Sequence, residues 1–261
     1  MREGEPSRTA LGAALLRAVH PELDDPVLYR DPLAWSVLGL DREAVLAEAR
    51  PVSRLRLFVA ARHRLAEDTV AAAYDRGTRQ VVVLGAGLDT IAYRNEHADL
   101  RVFEVDHPAT QGWKRERLAA AGIEVPATAT YVGVDFERDD LMSRLAEEGF
   151  DPTAPAVFVW LGVVPYLTHA AVEATLRAVA AVPGAEVVLD YAGTDRDAES
   201  GPRIERLAGR VAELGESFTE LWEPEALAAL LAATGFGEVD ELPLPAGSGG
   251  HILRASRPAR G

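Results

Sequence analysis

The chain has 261 residues, of which 48% are hydrophobic and 26% are charged, as is typical of a soluble globular protein of one large or two small domains. No apolar run approaches the roughly 18 residues of a membrane span, and the absence of cysteine excludes disulfides and thiolate metal sites. The 41 acidic residues outnumber 27 basic ones, and a net charge of −14 disfavours nucleic acid as a partner. The first eight residues are polar and no apolar signal segment follows them, so we expect no secretory signal. The missing cysteines favour a cytoplasmic location, and we expect neither a membrane partner nor a metal.

Residues before position 78 have the pattern of helices. Three helices are predicted, over Thr9 to Val19, between Asp31 and Gly39, and from Ser53 to Arg76. We therefore divide the chain into a helical cap of residues 1–77 and a core of residues 78–261, within one structural domain overall.

From Gln80 onward, short β-branched runs alternate with helical stretches of about 10 to 15 residues. Five apolar runs are predicted as buried parallel strands: Gln80 to Leu84, Arg101 to Asp106, Thr130 to Val134, Ala156 to Leu161 and Glu186 to Tyr191. Two more strands, Glu238 to Leu242 and His251 to Ala255, are predicted to form an antiparallel hairpin. Helices are predicted over Pro108 to Ala121, Asp139 to Glu148, Thr168 to Val182, Pro202 to Leu214 and Pro224 to Thr234. The predicted fold is α/β, with a doubly wound, mostly parallel seven-stranded sheet, an N-terminal helical cap and one antiparallel edge strand.

A glycine turn follows the first strand directly. Gly85 and Gly87 flank Ala86, and such a turn lets the backbone approach a ligand closely. A dinucleotide-binding turn would carry a third glycine or alanine at position 90, where this chain has Thr90. The turn therefore need not hold a phosphate.

Acidic residues follow the next two strands. Asp106 lies about 20 residues after the glycines, where a carboxylate can accept hydrogen bonds from two ribose hydroxyls. Asp135 and Phe136 follow the third strand and suit the amino group and the face of an adenine. The carboxyl ends of parallel strands meet at one edge of the sheet, so an adenosine ligand is predicted there. The alternative is that Asp106 only caps the following helix.

Three segments resemble the leucine carboxyl methyltransferase family: Gln80 to Arg94 (QVVVLGAGLDTIAYR), Glu104 to Leu118 (EVDHPATQGWKRERL) and Val159 to Thr168 (VWLGVVPYLT). The resemblance extends over most of the chain and implies a class I methyltransferase-like fold with S-adenosylmethionine as cofactor. It also implies roles for the residues singled out above. The glycine turn would pass under the methionine part of the cofactor, Asp106 would hold the ribose, and Asp135 and Phe136 would flank the adenine.

The resemblance assigns two further cofactor residues. Arg62 would bind the cofactor's carboxylate; an arginine on an apolar helical face is costly unless it is paired, so a structural ion pair is the alternative. Leu161 stands where protein-methylating members have a glutamate that contacts the cofactor's amino group. This difference argues against a phosphatase-type protein substrate.

We expect methyl transfer to an oxygen of a small-molecule acceptor, with a carboxylate of a small organic acid or secondary metabolite favoured. A carboxylate needs no general base, whereas a phenol or alcohol would benefit from one. The candidate bases are His107, Tyr166, Asp190 and Tyr191, and Arg94 could pair with an acceptor carboxylate. Structural alternatives are a helix cap for His107 and a position in the cavity wall or core for Tyr166. Asp190 could instead be a hydrogen-bonded acid at a strand end, and Arg94 could form a surface ion pair.

Two other functions stay open. One is a degenerate, non-catalytic module that binds S-adenosylmethionine, and the other is an NAD-dependent oxidoreductase, against which Thr90 and Asp135 count. The residues before position 78 and an insertion from Asp195 to Arg203 are expected to cover the site. Candidates for its apolar wall are Leu11, Leu15, Trp35 and Trp222, with a core position as the favoured alternative for any one of them.

Overall fold

A computed structural model describes residues 7–193, 218–219, 221–244 and 250–257. The helices in these ranges are α1 (Arg8–Leu23), α2 (Ala34–Leu38), α3 (Arg42–Glu48), α4 (Arg54–Asp75), α5 (Pro108–Ala120), α6 (Leu141–Glu147), α7 (His169–Ala181) and α8 (Pro224–Thr234). The strands are β1 (Gln80–Leu84), β2 (Arg101–Asp106), β3 (Ala129–Gly133), β4 (Val157–Trp160), β5 (Glu186–Tyr191), β6 (Glu238–Glu241) and β7 (His251–Ser256). The predicted helix from Pro202 to Leu214 and the insertion from Asp195 to Arg203 lie outside the described residues.

The seven strands form one sheet in the order β3-β2-β1-β4-β5-β7-β6. Strands β1 to β5 pair in parallel, and β7 pairs antiparallel with both β5 and β6. The doubly wound α/β fold with antiparallel pairing at one edge is thus confirmed. The reversed strand β7 lies one position inside that edge, and β6 is outermost. Its reversal places the first residue of β7 at the carboxyl edge of the parallel strands.

Helices cover both faces of the sheet, which is why the central strands are continuous apolar runs rather than alternating ones. On one face, Phe58, Val70 and other α4 residues pack against Val81, Val83 and their neighbours. On the other face, a larger cluster joins β1, β2, β4 and β5 to α6, α7 and α8. Helix α4 thus belongs to the packed layers of the sheet, while the proposed division at residue 78 stays a prediction.

Local signals fix most helix ends. Ser53 and Thr168 cap α4 and α7 by accepting a backbone N–H, and Gly39 and Gly235 end α2 and α8 in the left-handed conformation. Helix α3 was not predicted. It buries no residue, so it has no apolar face for a periodic pattern to reveal.

Within the ranges that the structure describes, we find no helix with both the length and the apolar character needed to cross a bilayer.

Candidate functional site

A cavity of about 1370 Å³ opens at the carboxyl edge of the parallel strands. The segments that follow β1 to β5 line it, together with faces of α1 and α4. This is the edge at which open α/β sheets bind ligands. Its volume exceeds the roughly 300–1000 Å³ of common ligand sites, so it has room for two ligands side by side.

The glycine turn forms one wall of the cavity. Gly85 and Gly87 have φ of +67° and +47°, a region that disfavours residues with a side chain. A Cβ atom at Gly85 would lie 2.2 Å from the Val163 side chain, and one at Gly87 would lie 2.9 Å from the Ala10 Cβ. The glycines therefore let the segment after β4 and the start of α1 approach the turn as closely as they do.

Asp106, at the end of β2, is attached to the same turn. Its Oδ2 accepts the backbone N–H of Gly87 at 2.6 Å, and its Oδ1 accepts that of His107 at 2.7 Å. Burial raises the pKa of the Asp106 carboxyl, although both N–H groups favour its ionised form. The alternative that Asp106 caps the next helix is wrong, because the cap of α5 is His107, whose Nδ1 accepts the N–H of Ala109 at 3.2 Å.

Asp135 and Phe136 line the cavity beyond Asp106. The Asp135 Oδ1 accepts the backbone N–H of Glu137 at 3.0 Å, and its Oδ2 lies 3.7 Å from the Arg138 guanidinium. The Phe136 ring packs at 6.4 Å from that of Trp160. The structure thus brings these predicted residues to one end of the cavity, next to Asp106.

A buried ion pair occupies the middle of the cavity wall. Arg62 and Asp190 are 8% and 3% exposed, and the Arg62 Nη1 donates to the Asp190 Oδ2 at 2.9 Å. The other Asp190 oxygen accepts the backbone N–H of Gly162. Among the described residues, nothing accepts a hydrogen bond from the buried Arg62 Nε. The pairing that we gave as the structural alternative is present, and one N–H of the arginine is left for a ligand.

Arg94 lies elsewhere. It forms an ion pair with Glu67 and donates to the Tyr29 hydroxyl at 2.7 Å and to Thr90 Oγ1 at 2.9 Å. It is not among the described residues that line the cavity. An acceptor-binding role is therefore not supported, and the alternative of an ion pair describes Arg94 better, although its side chain is largely buried rather than on the surface.

The other candidates divide between cavity and core. Leu161, Tyr166, His107, Tyr191 and Leu15 line the cavity. Leu11 and Trp35 instead pack with α1 and α2, and Trp222 is buried against the sheet. The core position that we favoured as the alternative therefore describes these three residues, and only Leu15 is a wall residue.

Sequence reasoning missed a polar cluster behind the glycine turn. The Arg17 guanidinium donates to the Leu88 carbonyl at 2.6 Å and to Asp31 at 3.1 Å, and it lies 3.4 Å from the His63 Nε2. The His63 Nδ1 donates to the Val59 carbonyl at 2.7 Å. Burial and the neighbouring Arg17 charge lower the pKa of His63, against the opposing effect of the Asp89 carboxylate 3.4 Å from Nε2. Charged residues at apolar helical positions, the signal used for Arg62, would have indicated Arg17 as well.

A second missed residue is His251, the first residue of β7. It lines the cavity, stacks on Tyr191 with ring centroids 4.9 Å apart, and its Nδ1 lies 2.8 Å from the Glu241 carboxylate. The residue before it, Gly250, has φ of +79°, and a Cβ there would meet the Phe58 ring at 2.5 Å. This close approach to α4 fixes where β7 enters the cavity wall.

Comparisons with known proteins agree with this geometry. A sequence profile of the leucine carboxyl methyltransferase family matches residues 10–180. YktD of Bacillus subtilis, named as a candidate S-adenosyl-L-methionine-dependent methyltransferase, is 28% identical over 90% of this chain and 88% of its own. A protein of Mycolicibacterium smegmatis with the same description is 33% identical over 78% of this chain and 73% of its own. A solved structure from Thermobifida fusca, titled as a candidate methyltransferase, shares the fold with a TM-score of 0.63 at 17% identity, covering 99% of this chain and 97% of that one.

Proposed function

Because the chain belongs to the leucine carboxyl methyltransferase family and is an S-adenosylmethionine-dependent methyltransferase, we propose that its acceptor is a small organic acid, methylated on a carboxylate oxygen. The observation that carries this proposal is a pair of arginines along the cavity, Arg50 and Arg54. They stand out in a chain with a net charge of −14. Arg56 also lines the cavity, but Asp24 neutralises its charge. Arg50 and Arg54 flank the exposed Val52, so their positive field would draw an anionic acceptor into the cavity and raise its association rate.

The described residues fit the cofactor at one end of the cavity. We assign the ribose to Asp106, whose oxygens each accept one backbone N–H and keep a further lone pair for a hydroxyl. The adenine is assigned to Asp135 and Phe136. The turn of Gly85, Ala86 and Gly87 would support the methionine part, and Leu161, which follows the neighbouring strand β4 and also lines the cavity, would contact the cofactor beside it.

Arg62 would hold the cofactor's carboxylate. Its unpaired Nε supports this assignment, since a buried donor without a partner costs about 1–3 kcal/mol and a ligand oxygen would remove that cost. Asp190 keeps the guanidinium in place through its bond to Nη1.

When bound, the cofactor supplies a methyl group on a positively charged sulfur. The chain's contribution is to hold the acceptor oxygen in line with that methyl group and to exclude water. A carboxylic acid is already ionised at neutral pH, so no side chain has to remove a proton.

A hydroxyl acceptor is the second candidate, and the His251–Glu241 pair favours it. A histidine oriented by a carboxylate on Nδ1 is the arrangement of a general base, and His251 lines the cavity. In this alternative the imidazole takes the proton of the acceptor hydroxyl as the oxygen attacks the methyl group.

The test has two steps. Calorimetric titration with S-adenosylmethionine, S-adenosylhomocysteine and NAD should show binding of the two sulfur nucleosides only. Panels of carboxylic acids and of phenols and alcohols are then incubated with the enzyme and S-adenosylmethionine, and mass spectrometry separates methyl esters from methyl ethers. Methyl ethers that form with the wild type but not with His251→Gln would favour the hydroxyl acceptor over the carboxylate. Cofactor binding without transfer to either panel would refute both acceptor classes.

A further inference from the structure

The corner between α3 and α4, residues 49–53, forms part of the rim of the cavity. The apolar side chains of Val52 and Ala49 line the cavity there, and Val52 is 77% exposed. The two flanking helices add Val45 and Leu55 to the same wall. Exposed apolar side chains next to a ligand cavity are characteristic of a binding surface.

A buried arginine fixes the corner. Arg56 is 2% exposed and donates to the carbonyls of Arg50 and Pro51, both at 2.9 Å. Its Nε and Nη2 also bond both oxygens of Asp24, at 2.6 and 2.7 Å. Burial opposes ionisation of Asp24, but the bonds from Arg56 and His20 outweigh it and lower the pKa of the carboxyl. The backbone of the corner is therefore held in place while the Val52 side chain stays uncovered.

The apolar wall continues inward along α4. Leu55, Val59 and Arg62 follow one another at intervals of four and three residues, so they lie on one helix face, and all three line the cavity. Seven residues of α-helix span about 10 Å. On the facing helix α1, Leu15, Leu16 and Val19 line the same stretch of the cavity. An apolar track thus leads from the corner to the Arg62–Asp190 pair.

We propose that this track binds an extended apolar chain of the acceptor, with the methylated group at the Arg62 end and the chain leaving past Val52. The inference rests on the proposed function and narrows its acceptor to amphipathic molecules, such as acids with an unbranched aliphatic chain. A short polar acid would leave the rigid apolar corner unused.

The experiment uses protein saturated with S-adenosylhomocysteine and titrates it with butanoate, hexanoate, octanoate and decanoate. Each buried CH₂ should lower Kd about fourfold until the track is filled. In Val52→Asp, decanoate should bind on the order of tenfold more weakly, while butanoate binding stays unchanged, because a charge then faces the chain. Val125→Asp is the matched control, since Val125 is 45% exposed and is not among the described residues of the cavity.

A Kd that does not change with chain length, or an equal effect of both aspartate variants, would overturn the inference. A failure of the proposed carboxylate acceptor can be distinguished from a failure of the track, because 1-decanol, which has the chain but no carboxylate, is carried through the same titrations and transfer assays. Methylation of decanol but not decanoate, with Val52→Asp still selective for long chains, would refute the carboxylate acceptor and support the track. Methylation of butanoate with no effect of chain length would support the carboxylate and refute the track.

Discussion

The Asp106 carboxylate accepts the backbone N–H of Gly87 at 2.6 Å, so the end of β2 is bonded to the turn that follows β1. Two of the predicted cofactor residues are therefore fixed relative to each other by a hydrogen bond between neighbouring strands. Hydrogen bonds from backbone N–H groups to a charged carboxylate are stronger than those to a neutral acceptor, so these bonds favour a preorganised site.

Asp106→Asn should weaken binding of S-adenosylhomocysteine by about 1.5 to 3 kcal/mol, the contribution of hydrogen bonds to a charged acceptor. The amide has one accepting oxygen, so it cannot serve both backbone donors and the ribose. Calorimetry measures the change, and Asp99→Asn, a change of an exposed acid, is the control. Unchanged affinity in a folded Asp106→Asn protein would refute the assignment of the ribose to this residue.

Gly87→Ala should destabilise the fold by about 1–2 kcal/mol, because φ is +47° and the new Cβ would lie 2.9 Å from that of Ala10. Gly112→Ala is the opposite case. It lies in α5 with nothing within 4 Å of the added Cβ, so it should stabilise the protein by about 0.5–1 kcal/mol. Urea unfolding measures the free energy of unfolding of both variants, which should fall in Gly87→Ala and rise in Gly112→Ala. A rise in Gly87→Ala would contradict the described turn.

Asp190→Asn should cost about 3–5 kcal/mol of unfolding free energy, because it leaves the Arg62 charge buried without a counter-charge. The comparison is Asp68→Asn, which removes the partner of Arg64 in a pair whose side chains are 59% and 55% exposed. That change should cost less than about 1 kcal/mol. Similar losses in both variants would mean that Arg62 finds another partner.

His63 should make stability depend on pH near neutrality. Its pKa is lowered in the folded protein, so below about pH 6.5 the unfolded state binds the proton more readily and stability falls as pH falls. One such group contributes a slope of up to about 1.4 kcal/mol per pH unit. Urea unfolding at pH 7.5, 6.5 and 5.5 should show this slope reduced in His63→Gln and retained in His97→Gln, a change of an exposed histidine. If the pH profiles of wild type and His63→Gln had the same slope, a lowered pKa of His63 would be refuted.

The sequence by itself determined the strands and the position of the glycine turn. Their signals are local: continuous apolar runs mark strands buried on both faces, and Gly85, Asp106 and Asp135 each stand at or just after the end of one of these strands. These three residues meet at one edge of the sheet because their strands pair in parallel.

Only the tertiary structure decided which side chains pair. Arg62 and Asp190 are 128 residues apart, Arg94 meets Glu67 instead of the cavity, and His251 reaches the site because β7 runs in reverse beside β5. The exposed corner at Val52 has no periodic pattern, since α3 buries nothing. Contacts of this kind depend on how helices and strands distant in sequence pack against one another, and local propensity and spacing carry no information about that packing.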